Sequence, residues 1–344
     1  MARRLSVTVE RFPLAAAFTI SRGSKTEAVV VVATISDEFG TGRGECVPYA
    51  RYGETPESVV EAMETVRDAI EAGMSRRTLS TRLPAGAARN ALDCALWDLE
   101  AKSTGTLVEE AICRLPARPL ETAYTISLNT PSAMAAAAAR VSHRSLLKIK
   151  VGGEGDADRM RAVRSAARNA RLIIDANEGW TEETVRQNLL VAASIGATVV
   201  EQPMPAGADE ILARIPHPVP VCADESVHST IDLQGICGRY DYVNVKLDKT
   251  GGLTEGVAFV REARRLGFGV MVGCMVGTSL AMAPAVLLAQ TADLVDLDGP
   301  LLLARDRPNG LVYGPSLVSP PDRTLWGYAR QMKRGPPQAS RSRT

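Results

Sequence analysis

Five charged residues lie at regular intervals along the second half of the chain, each at the end of a short apolar segment. They are Lys150, Asp175, Glu201, Asp224 and Lys246, and the intervals between them are 25, 26, 23 and 22 residues. Each interval is about the length of one strand and one helix, so the five residues occupy equivalent places at the carboxyl ends of consecutive strands. In a parallel barrel those ends surround one mouth, where the active sites of that fold lie.

Taken singly, each of these residues has an ordinary interpretation as a helix N-cap or a solvated surface charge. Together, the carboxylates of Asp175, Glu201 and Asp224 would repel one another unless a cation held them. Shared protons are the alternative, but lysines on both sides favour a metal. Oxygen ligands predict one Mg2+, with Mn2+ as a substitute. Zinc is not predicted, because none of the three histidines lies at a phased strand end.

The two lysines indicate which chemistry the metal serves. Lys150 and Lys246 belong to strands that lie roughly opposite each other in a barrel, and cations beside Mg2+ have lowered pKa values, so a neutral amine becomes accessible as a base. One lysine would remove a proton beside a metal-bound substrate carboxylate, giving an enediolate, and the other would return it from the opposite face. This predicts racemisation or epimerisation. Lys148, on the same strand face as Lys150, would lower the pKa of Lys150 or bind a substrate oxygen.

Eight short apolar segments alternate with amphipathic helices between residues 122 and 300. This alternation predicts an α/β fold with a parallel sheet covered by helices, and eight strands are the number that closes a barrel. The stretch LLLARDRPNGLVYGP, after the eighth strand, has no helical pattern. We therefore predict a (β/α)7β TIM-like barrel that lacks its last helix. The strand segments are TAYTIS, LLKIKV, RLIIDA, ATVVEQP, PVPVCADE, DYVNVKLD, FGVMVGC and ADLVDLDGP.

The first part of the chain has a different organisation. Two segments rich in β-branched residues, VTVERF and AVVVVATISD, flank a polar loop over residues 21–26, and helical patterns follow from Thr55 and over residues 85–102. Strands followed by helices predict an α+β module. The predicted boundaries are 1–120 for this α+β domain, 121–305 for the barrel, 306–327 for a segment that returns to the first domain, and 328–344 for a disordered tail.

The charge balance limits the kinds of partner. With 40 basic and 39 acidic residues the net charge is +1, so no general field attracts nucleic acid or anionic lipid. No stretch approaches the apolar length that spans a bilayer, and Arg11 and Pro13 interrupt the only apolar run near the start. We predict a cytoplasmic protein with a small-molecule substrate and neither a nucleic-acid nor a membrane partner.

Several motifs resemble those of the enolase superfamily, in the group similar to muconate lactonizing enzymes with paired lysine bases. They are the K-x-K of Lys148 and Lys150, IDANEGW, EQP, ADES and KLDKTGG, together with GECVPYARYGE and PAGAARNALDCALWDLEAK in the first module. A lysine base with Mg2+ is the known pattern of enolase-superfamily sites. Within the group the chain is most similar to dipeptide epimerases, L-Ala-D/L-Glu epimerases above all, which serve the reuse of cell-wall peptides.

The resemblance implies further residues for substrate binding. Asp296 and Asp298, after the eighth strand, would receive the α-ammonium of a dipeptide, as two acceptor carboxylates opposite the metal also suggest. The first module would cap the barrel mouth. Lys25 stands where these epimerases carry a basic residue for the glutamate side chain, although the family leads us to expect arginine. The other residues expected to line the substrate pocket are Arg51, Tyr52, Thr125, Cys274 and Met275.

Two alternatives remain open. The first is another enzyme of the same group: an N-acylamino-acid racemase, an o-succinylbenzoate synthase or a cycloisomerase. Asp296 and Asp298 weigh against it, because those substrates bring no free ammonium. The second is a non-catalytic metal-binding barrel, which would not require two lysines in phase with three carboxylates. The superfamily contains many homo-oligomers, so the resemblance also allows one here.

Overall fold

The structure, a computed structural model, describes residues 2–328. Apart from Tyr328, the predicted disordered tail lies outside the described residues. Within that range no helix is both long and apolar enough to cross a membrane.

The first module consists of an antiparallel three-stranded sheet covered by helices. Thr55 starts the helical part with a capping box, in which its hydroxyl accepts a hydrogen bond from the Ser58 backbone N–H, and Pro56 occupies the first helical turn. The elements are β1 (Arg4–Ile20), β2 (Gly23–Ser36), β3 (Thr41–Cys46), α1 (Pro56–Glu64), α2 (Arg67–Glu71), α3 (Arg76–Arg82), α4 (Ala87–Thr104) and α5 (Val108–Ile112).

The loop predicted over residues 21–26 is shorter in the structure. Only Ser21 and Arg22 form the turn, and β2 begins at Gly23, which pairs with Ile20. Lys25 therefore lies in a strand, directly opposite Phe18. The residues from Phe18 to Lys25 form a hairpin tip, called here the 20s hairpin.

Eight parallel strands form the second module, in the order of the chain. The sheet closes into a barrel where the Ala123 backbone N–H donates to the Val295 carbonyl, at 2.9 Å. This confirms the predicted barrel. Strand β4 (Leu120–Glu121) precedes the barrel and lies outside its sheet. The elements of the barrel are β5 (Tyr124–Ile126), α6 (Pro131–Arg140), β6 (Leu146–Lys150), α7 (Asp156–Ala166), β7 (Arg171–Asp175), α8 (Val185–Ser194), β8 (Val199–Glu201), β9 (Val221–Ala223), β10 (Tyr242–Val245), α9 (Leu247–Thr250), α10 (Leu253–Arg265), β11 (Gly269–Gly273), α11 (Ser279–Leu288) and β12 (Leu294–Asp296).

The crossovers are not all α-helical. A 3-10 turn over Glu210–Arg214 connects β8 to β9, and another over Thr230–Ile236 connects β9 to β10. After β12 the chain makes only a short 3-10 turn, Gly299–Leu302. This confirms, for the described residues, that the last helix of a complete barrel is missing.

The segment after the barrel contacts the first module. Strand β13 (Leu317–Val318) pairs antiparallel with β4. The Trp326 indole N–H lies within hydrogen-bonding distance of the Arg43 carbonyl, at 2.9 Å, and the Val108 backbone N–H donates to the carbonyl of Gly327 at 3.0 Å.

The barrel interior is layered. An apolar cluster forms its lower layer, with one residue from each of seven strand segments: Ala123, Leu146, Ile173, Val199, Cys222, Met271 and Leu294. Side chains two residues apart point to the same side of a strand, so the next inward layer is two residues further along. That layer is polar, because its members include Lys148, Asp175, Glu201, Asp224 and Asp296.

Candidate active site

The barrel strands bring one set of charged side chains together inside the mouth. We call it the polar layer: Lys148, Lys150, Asp175, Glu201, Asp224, Asn244, Lys246, Lys249 and Asp296. None of these residues is more than 7% exposed. Burial of so many charges is tolerable only if each is paired and hydrogen-bonded. The strand register contributes directly, because it sets Lys150 beside Asp175 and Asp175 beside Glu201.

The three carboxylates predicted as metal ligands share one arrangement, in which a fixed donor holds one oxygen of each. Asp175 Oδ1 accepts from the Asn177 backbone N–H at 2.9 Å, and Glu201 Oε1 accepts from the Asn244 side-chain amide at 2.8 Å. Asp224 Oδ1 accepts from the Lys249 ammonium at 2.6 Å. We call these the outer oxygens, and the second oxygen of each carboxylate the inner oxygen.

The inner oxygens contact the other lysines. Lys150 Nζ lies 2.5 Å from Asp175 Oδ2, and Lys246 Nζ lies 2.5 Å from Asp224 Oδ2. Lys148 is central, since its Nζ lies 3.0 Å from Asp175 Oδ2, 2.6 Å from Glu201 Oε2 and 2.7 Å from Asp296 Oδ2. Lys148 thus contacts three carboxylates at once, in addition to lying on the same strand face as Lys150.

These contacts set the protonation of the carboxylates. Burial alone would raise the pKa of Asp175, but Lys148 and Lys150 outweigh it and hold that pKa below its usual range. Burial is likewise outweighed at Asp224, whose pKa is held low by Lys246 and Lys249. At Glu201, burial and the charge of Asp175 raise the pKa to about 8. The lysines therefore favour the charged forms of Asp175 and Asp224, whereas Glu201 retains its proton more readily.

The pKa of Lys246 is raised, whereas the pKa of a lysine base beside a bound metal is expected to be lowered. Burial would lower it, but the charges of Asp224 and Glu201 raise it well above its usual value. The predicted lowering of the lysine pKa refers to a site in which a divalent cation compensates those carboxylates, and it stays a prediction.

The residues predicted from the eighth strand lie close to Lys148. Asp298 Oδ2 accepts from the Thr125 backbone N–H at 2.6 Å, while Asp296 contacts Lys148. The Asp296 Oδ1 atom is buried and accepts no hydrogen bond from the described residues. Burial raises the pKa of the Cys274 thiol well above its usual value, and the charges of Asp296 and Asp298 raise it further. Met275 is buried at the same loop.

The first module contributes a cluster of side chains above the mouth. The Lys25 ammonium lies 5.1 Å from the centroid of the Tyr49 ring, and the Phe18 ring opposite it lies 5.9 Å from Lys150 Nζ. Tyr52 packs edge-on against His228, with ring centroids 4.3 Å apart. Burial raises the pKa of Tyr52 well above its usual value, and Asp224 reinforces this. Lys25 and Tyr52 therefore lie on the side of the module that faces the polar layer.

Arg51 is held by the barrel. Its guanidinium forms two hydrogen bonds, at 2.9 and 2.8 Å, with Glu178, which follows the third barrel strand. A substrate contact of Arg51 stays a prediction. Glu178 has a left-handed backbone with φ of 67°, and Asn177 before it has φ of 44°. Strained backbone of this kind persists where the surrounding contacts fix it.

Arg22 was missed by sequence reasoning, although it joins the 20s hairpin to the barrel. Its guanidinium contacts Glu178 Oε2 at 2.9 Å and Glu225 Oε1 at 2.6 Å, and it donates to the Asn177 carbonyl at 2.8 Å. The family pattern points to Lys25, three residues further along, and not to Arg22. The available signal was the glutamate that follows a predicted ligand in ADES, since a buried carboxylate requires a cationic partner.

Two further members of the polar layer were also missed. Asn244 precedes Lys246 by two residues and so shares its strand face, which alternation along the strand would have shown. Lys249 follows Lys246 by three residues, and α9 turns it back toward the strand ends. Its role depended on a helical turn that the strand pattern does not reveal.

A cavity of about 510 Å3 opens beside Lys249, between the first module and the barrel. Arg51 and Tyr52 line one side of it, and Glu225, His228 and Lys249 line the other. Of the polar layer, Lys249 is the member that lines the cavity.

The donor set suits a hard divalent cation in chemical type. All three predicted ligands are buried carboxylates, and Glu201 Oε2 accepts no hydrogen bond from the described residues, although Lys148 lies 2.6 Å away. Within residues 2–328 no three acidic, histidine or cysteine side chains form a ready cluster for a metal. Lysine ammonium groups instead compensate the inner oxygens.

Comparison with known proteins identifies the family. Residues 2–112 match the N-terminal domain of mandelate racemase and muconate lactonizing enzyme, and residues 133–301 match the enolase C-terminal domain-like family. The chain belongs to the enolase superfamily. This confirms the resemblance that its motifs indicated, and the two matches cover both modules of the fold.

Two relatives of known activity are isomerases of glutamate derivatives. The L-Ala-D/L-Glu epimerase of Escherichia coli (strain K12) is 44% identical over 306 residues, which cover 88% of this chain and 95% of that protein. An N-acetyl-D-glutamate racemase of a Pseudoalteromonas species is 42% identical over 89% of this chain and 97% of that protein.

Solved structures of relatives hold a cation together with a dipeptide. An enolase family member from Agrobacterium tumefaciens, with homology to dipeptide epimerases, contains bound sodium and L-Ala-L-Glu with an ordered loop. It is 57% identical, with a TM-score of 0.93, over 94% of this chain and 100% of that one. A dipeptide epimerase from Cytophaga hutchinsonii, complexed with Mg and D-Ala-L-Val, is 27% identical with a TM-score of 0.87 over 95% of each chain.

Proposed function

We propose that this protein is a dipeptide epimerase that inverts the Cα of the C-terminal residue, with L-Ala-D/L-Glu as its leading substrate. The observation that carries the proposal is a difference among the lysines of the polar layer. Lys148 and Lys249 each contact three acceptors, whereas Lys150 and Lys246 each contact a single carboxylate oxygen within the described residues. An ammonium has three N–H donors, so Lys150 and Lys246, with one contact each, retain capacity for a substrate.

Lys150 and Lys246, which retain donor capacity, serve as acid and base. Lys150 contacts Asp175 and Lys246 contacts Asp224. Strands β7, β8 and β9 therefore lie between the strands that carry the two lysines. A substrate Cα between them is accessible to one amine on each face. One amine takes the Cα proton, and the opposite ammonium returns a proton to the other face, which inverts the centre.

The proposed metal ligands are Asp175, Glu201 and Asp224, with Mg2+ as the cofactor and Mn2+ as a substitute. When bound, the cation supplies electrostatic stabilisation of the charge that develops on the substrate carboxylate as the Cα proton leaves. The chain itself contributes the fixed outer donors, each of which holds one oxygen of its carboxylate and leaves the inner oxygen to the lysines or the cation.

Selection of a dipeptide rests on Asp296 and Asp298. Asp296 Oδ1 is buried without a hydrogen bond, so it has capacity to accept from a substrate ammonium. Burial and the charge of Asp296 raise the pKa of Asp298 to about 7. A substrate ammonium beside this pair would relieve that repulsion. Lys25 is the cation proposed for the glutamate side chain, and the two relatives described above act on glutamate derivatives.

Racemisation of N-acetylglutamate is the second candidate, and two observations favour it. A relative with that activity is 42% identical to this chain. In addition, Lys148 already contacts Asp296, and the Thr125 backbone already donates to Asp298, so the acidic pair has protein partners without any substrate ammonium.

Turnover of two substrates by the wild type and Asp298→Asn separates the candidates. We expect the wild type to epimerise L-Ala-L-Glu in preference to N-acetyl-L-glutamate. Loss of the carboxylate should lower kcat/KM for the dipeptide about 10- to 100-fold, the scale of one charged hydrogen bond, while leaving the N-acetyl substrate little changed. Preference for N-acetyl-L-glutamate, or equal losses on both, would contradict the dipeptide assignment. Thr122→Ser, at a nearby buried hydroxyl that contacts no carboxylate, is the control.

A further inference from the structure

Lys249 belongs to the polar layer but takes no part in the proton transfers proposed above. It lies in α9, the four-residue helix that directly follows Lys246, and its backbone N–H donates to the Lys246 carbonyl at 2.9 Å. This turn directs its side chain back to the end of β9. The side chain is only 1% exposed.

All three ammonium donors of Lys249 are used inside the protein. Nζ lies 2.6 Å from Asp224 Oδ1, 2.6 Å from the Asp224 carbonyl and 3.0 Å from the Asn244 carbonyl. These acceptors match the full donor capacity of a lysine. Lys249 therefore has no free donor for a substrate, unlike Lys246 beside it, and it is not a third acid or base.

Lys249 instead completes the set of outer donors. The Asn177 backbone N–H holds Asp175, the Asn244 amide holds Glu201, and Lys249 holds Asp224. It is the charged member of the set and the one that contacts both the side chain and the carbonyl of its aspartate. Gln202 fixes the same aspartate from the other side, because its Oε1 accepts from the Asp224 backbone N–H at 2.8 Å.

The position of Lys249 is itself fixed by the first module. Arg89 of α4 donates to the Thr250 carbonyl at 2.6 Å and to the Gly251 carbonyl at 3.1 Å. Gly252, with φ of 111°, leaves no space for a Cβ, which would collide with the Asp93 side chain. The end of α9 is thus held against α4, and this contact fixes the position of Lys249 beside Asp224.

We propose that Lys249 is a positioning residue that aligns Asp224 for the metal. The proposal rests on the metal site of the proposed function. By taking Oδ1 and the main-chain carbonyl, Lys249 leaves Asp224 only one orientation, with Oδ2 toward Lys246 and the inner oxygens. Second-layer partners of this kind typically affect metal affinity by 10- to 100-fold.

Charge and position predict opposite effects when Lys249 is removed. A cation beside a metal site repels the metal, so loss of the charge alone would tighten Mg2+ binding. Loss of the alignment would weaken it. The sign of the change in Mg2+ affinity therefore distinguishes a positioning residue from a mere counter-charge.

The test measures the Mg2+ dissociation constant of the full-length protein by titration calorimetry for Lys249→Met, with Lys249→Arg as the conservative variant. Lys102→Met is the matched control, since Lys102 pairs with Asp98 on α4, away from the polar layer. We expect 10- to 100-fold weaker Mg2+ binding in Lys249→Met, a smaller loss in Lys249→Arg and no change in the control. Saturating Mg2+ should restore most of kcat in Lys249→Met, because Lys249 does not contact the substrate.

Circular dichroism and Tm establish that each variant is folded. Mg2+ binding within twofold of the wild type, or tighter binding, in folded Lys249→Met would overturn the proposal. Failure of both variants to fold would assign Lys249 to stability alone and overturn it as well. If the wild type binds no Mg2+, it is the proposed metal site that fails, so the two failures are distinguishable.

Discussion

At the scale of single residues, the proposed choice of a glutamate side chain depends on Lys25. No carboxylate of the described residues forms an ion pair with its ammonium, which lies over the Tyr49 ring, and burial lowers its pKa. Its cross-strand neighbour Phe18 lies near Lys150 Nζ, so the 20s hairpin brings Lys25 to the side of the proposed base. An available cation at that position fits a substrate with a second carboxylate.

We expect Lys25→Met to raise KM for L-Ala-L-Glu about 10- to 100-fold, because one charge-assisted contact is lost. The KM for the uncharged L-Ala-L-Gln should change little, and Lys25→Arg should retain most of the affinity for L-Ala-L-Glu. Steady-state kinetics on both dipeptides provides the comparison. Equal effects on the two substrates would show that Lys25 supports the hairpin rather than the glutamate side chain.

At the scale of elements, the contacts of Arg22 hold the tip of the 20s hairpin on the barrel. Arg22→Leu removes its contacts to Glu178, Glu225 and the Asn177 carbonyl together. We expect faster backbone hydrogen exchange over residues 18–27 and a higher KM for the dipeptide, because segments with few remaining contacts open more easily.

The matched control for this hairpin is Arg11→Leu. Arg11 pairs with Glu27 on the same two strands, but both side chains are exposed, at 61% and 46%. Exposed pairs of this kind contribute little, so exchange over residues 18–27 should stay close to that of the wild type. Equal exchange in the two variants would mean that Arg22 does not hold the hairpin.

The elements also show what the sequence could reveal about this fold. The spacing of Lys150, Asp175, Glu201 and Asp224 follows from the length of one strand and one crossover, so the shared mouth was predictable. The 3-10 form of the crossovers that end near β9 and β10 was not, because short turns lack the periodicity of a helix. The pattern of residues 21–26 predicts a loop rather than a hairpin, because its polar residues obscure strand pairing.

At the scale of the whole molecule, α4 of the first module joins the barrel next to the polar layer. Asp248 is buried at this contact, where its Oδ1 accepts from the Val47 backbone N–H at 3.0 Å and from the Asn90 amide at 2.8 Å. Burial raises its pKa to about 7. The folded state therefore binds this proton more tightly than the unfolded chain, whose aspartate titrates near its ordinary pKa of about 4.

The sign of the resulting pH dependence is negative. Because the folded state holds more protons between about pH 4 and pH 7, stability falls as the pH rises through that window. We expect Asp248→Asn, which keeps an acceptor for both donors, to gain Tm relative to the wild type, and to gain more at pH 8 than at pH 5. Thermal unfolding at both pH values measures this.

Asp241→Asn is the control with the opposite sign. Burial would raise the pKa of Asp241, but the hydrogen bond with His217 outweighs it and lowers that pKa. The wild-type carboxylate then stabilises the fold above its unfolded pKa, so Asp241→Asn should lose Tm at pH 8. A Tm difference between Asp248→Asn and the wild type that does not grow with pH would contradict a destabilising buried charge at Asp248.

Contacts between the modules set the limit of sequence reasoning. Asn90 and Asp248 are 158 residues apart, and Arg89 contacts the Gly251 carbonyl across 162 residues. No local pattern predicts such pairs, since they depend on how α4 docks on the barrel. The same limit explains why Lys249 was missed, whereas Lys246, at a strand end in phase with the others, was found. Cytoplasmic location, homo-oligomerisation and the boundary at residue 120 stay predictions.

Two-base epimerisation is tested most directly by incubating L-Ala-L-Glu with the protein and Mg2+ in D2O and following the glutamate Cα by NMR and mass spectrometry. We predict that both epimers form and that each carries deuterium at that carbon. Lys150→Met and Lys246→Met should each lose interconversion by about 10²- to 10⁴-fold, and each should still exchange the Cα hydrogen of one epimer, a different one in each variant. Absence of deuterium from Cα with the wild type, or exchange of both epimers by a single-lysine variant, would contradict the account.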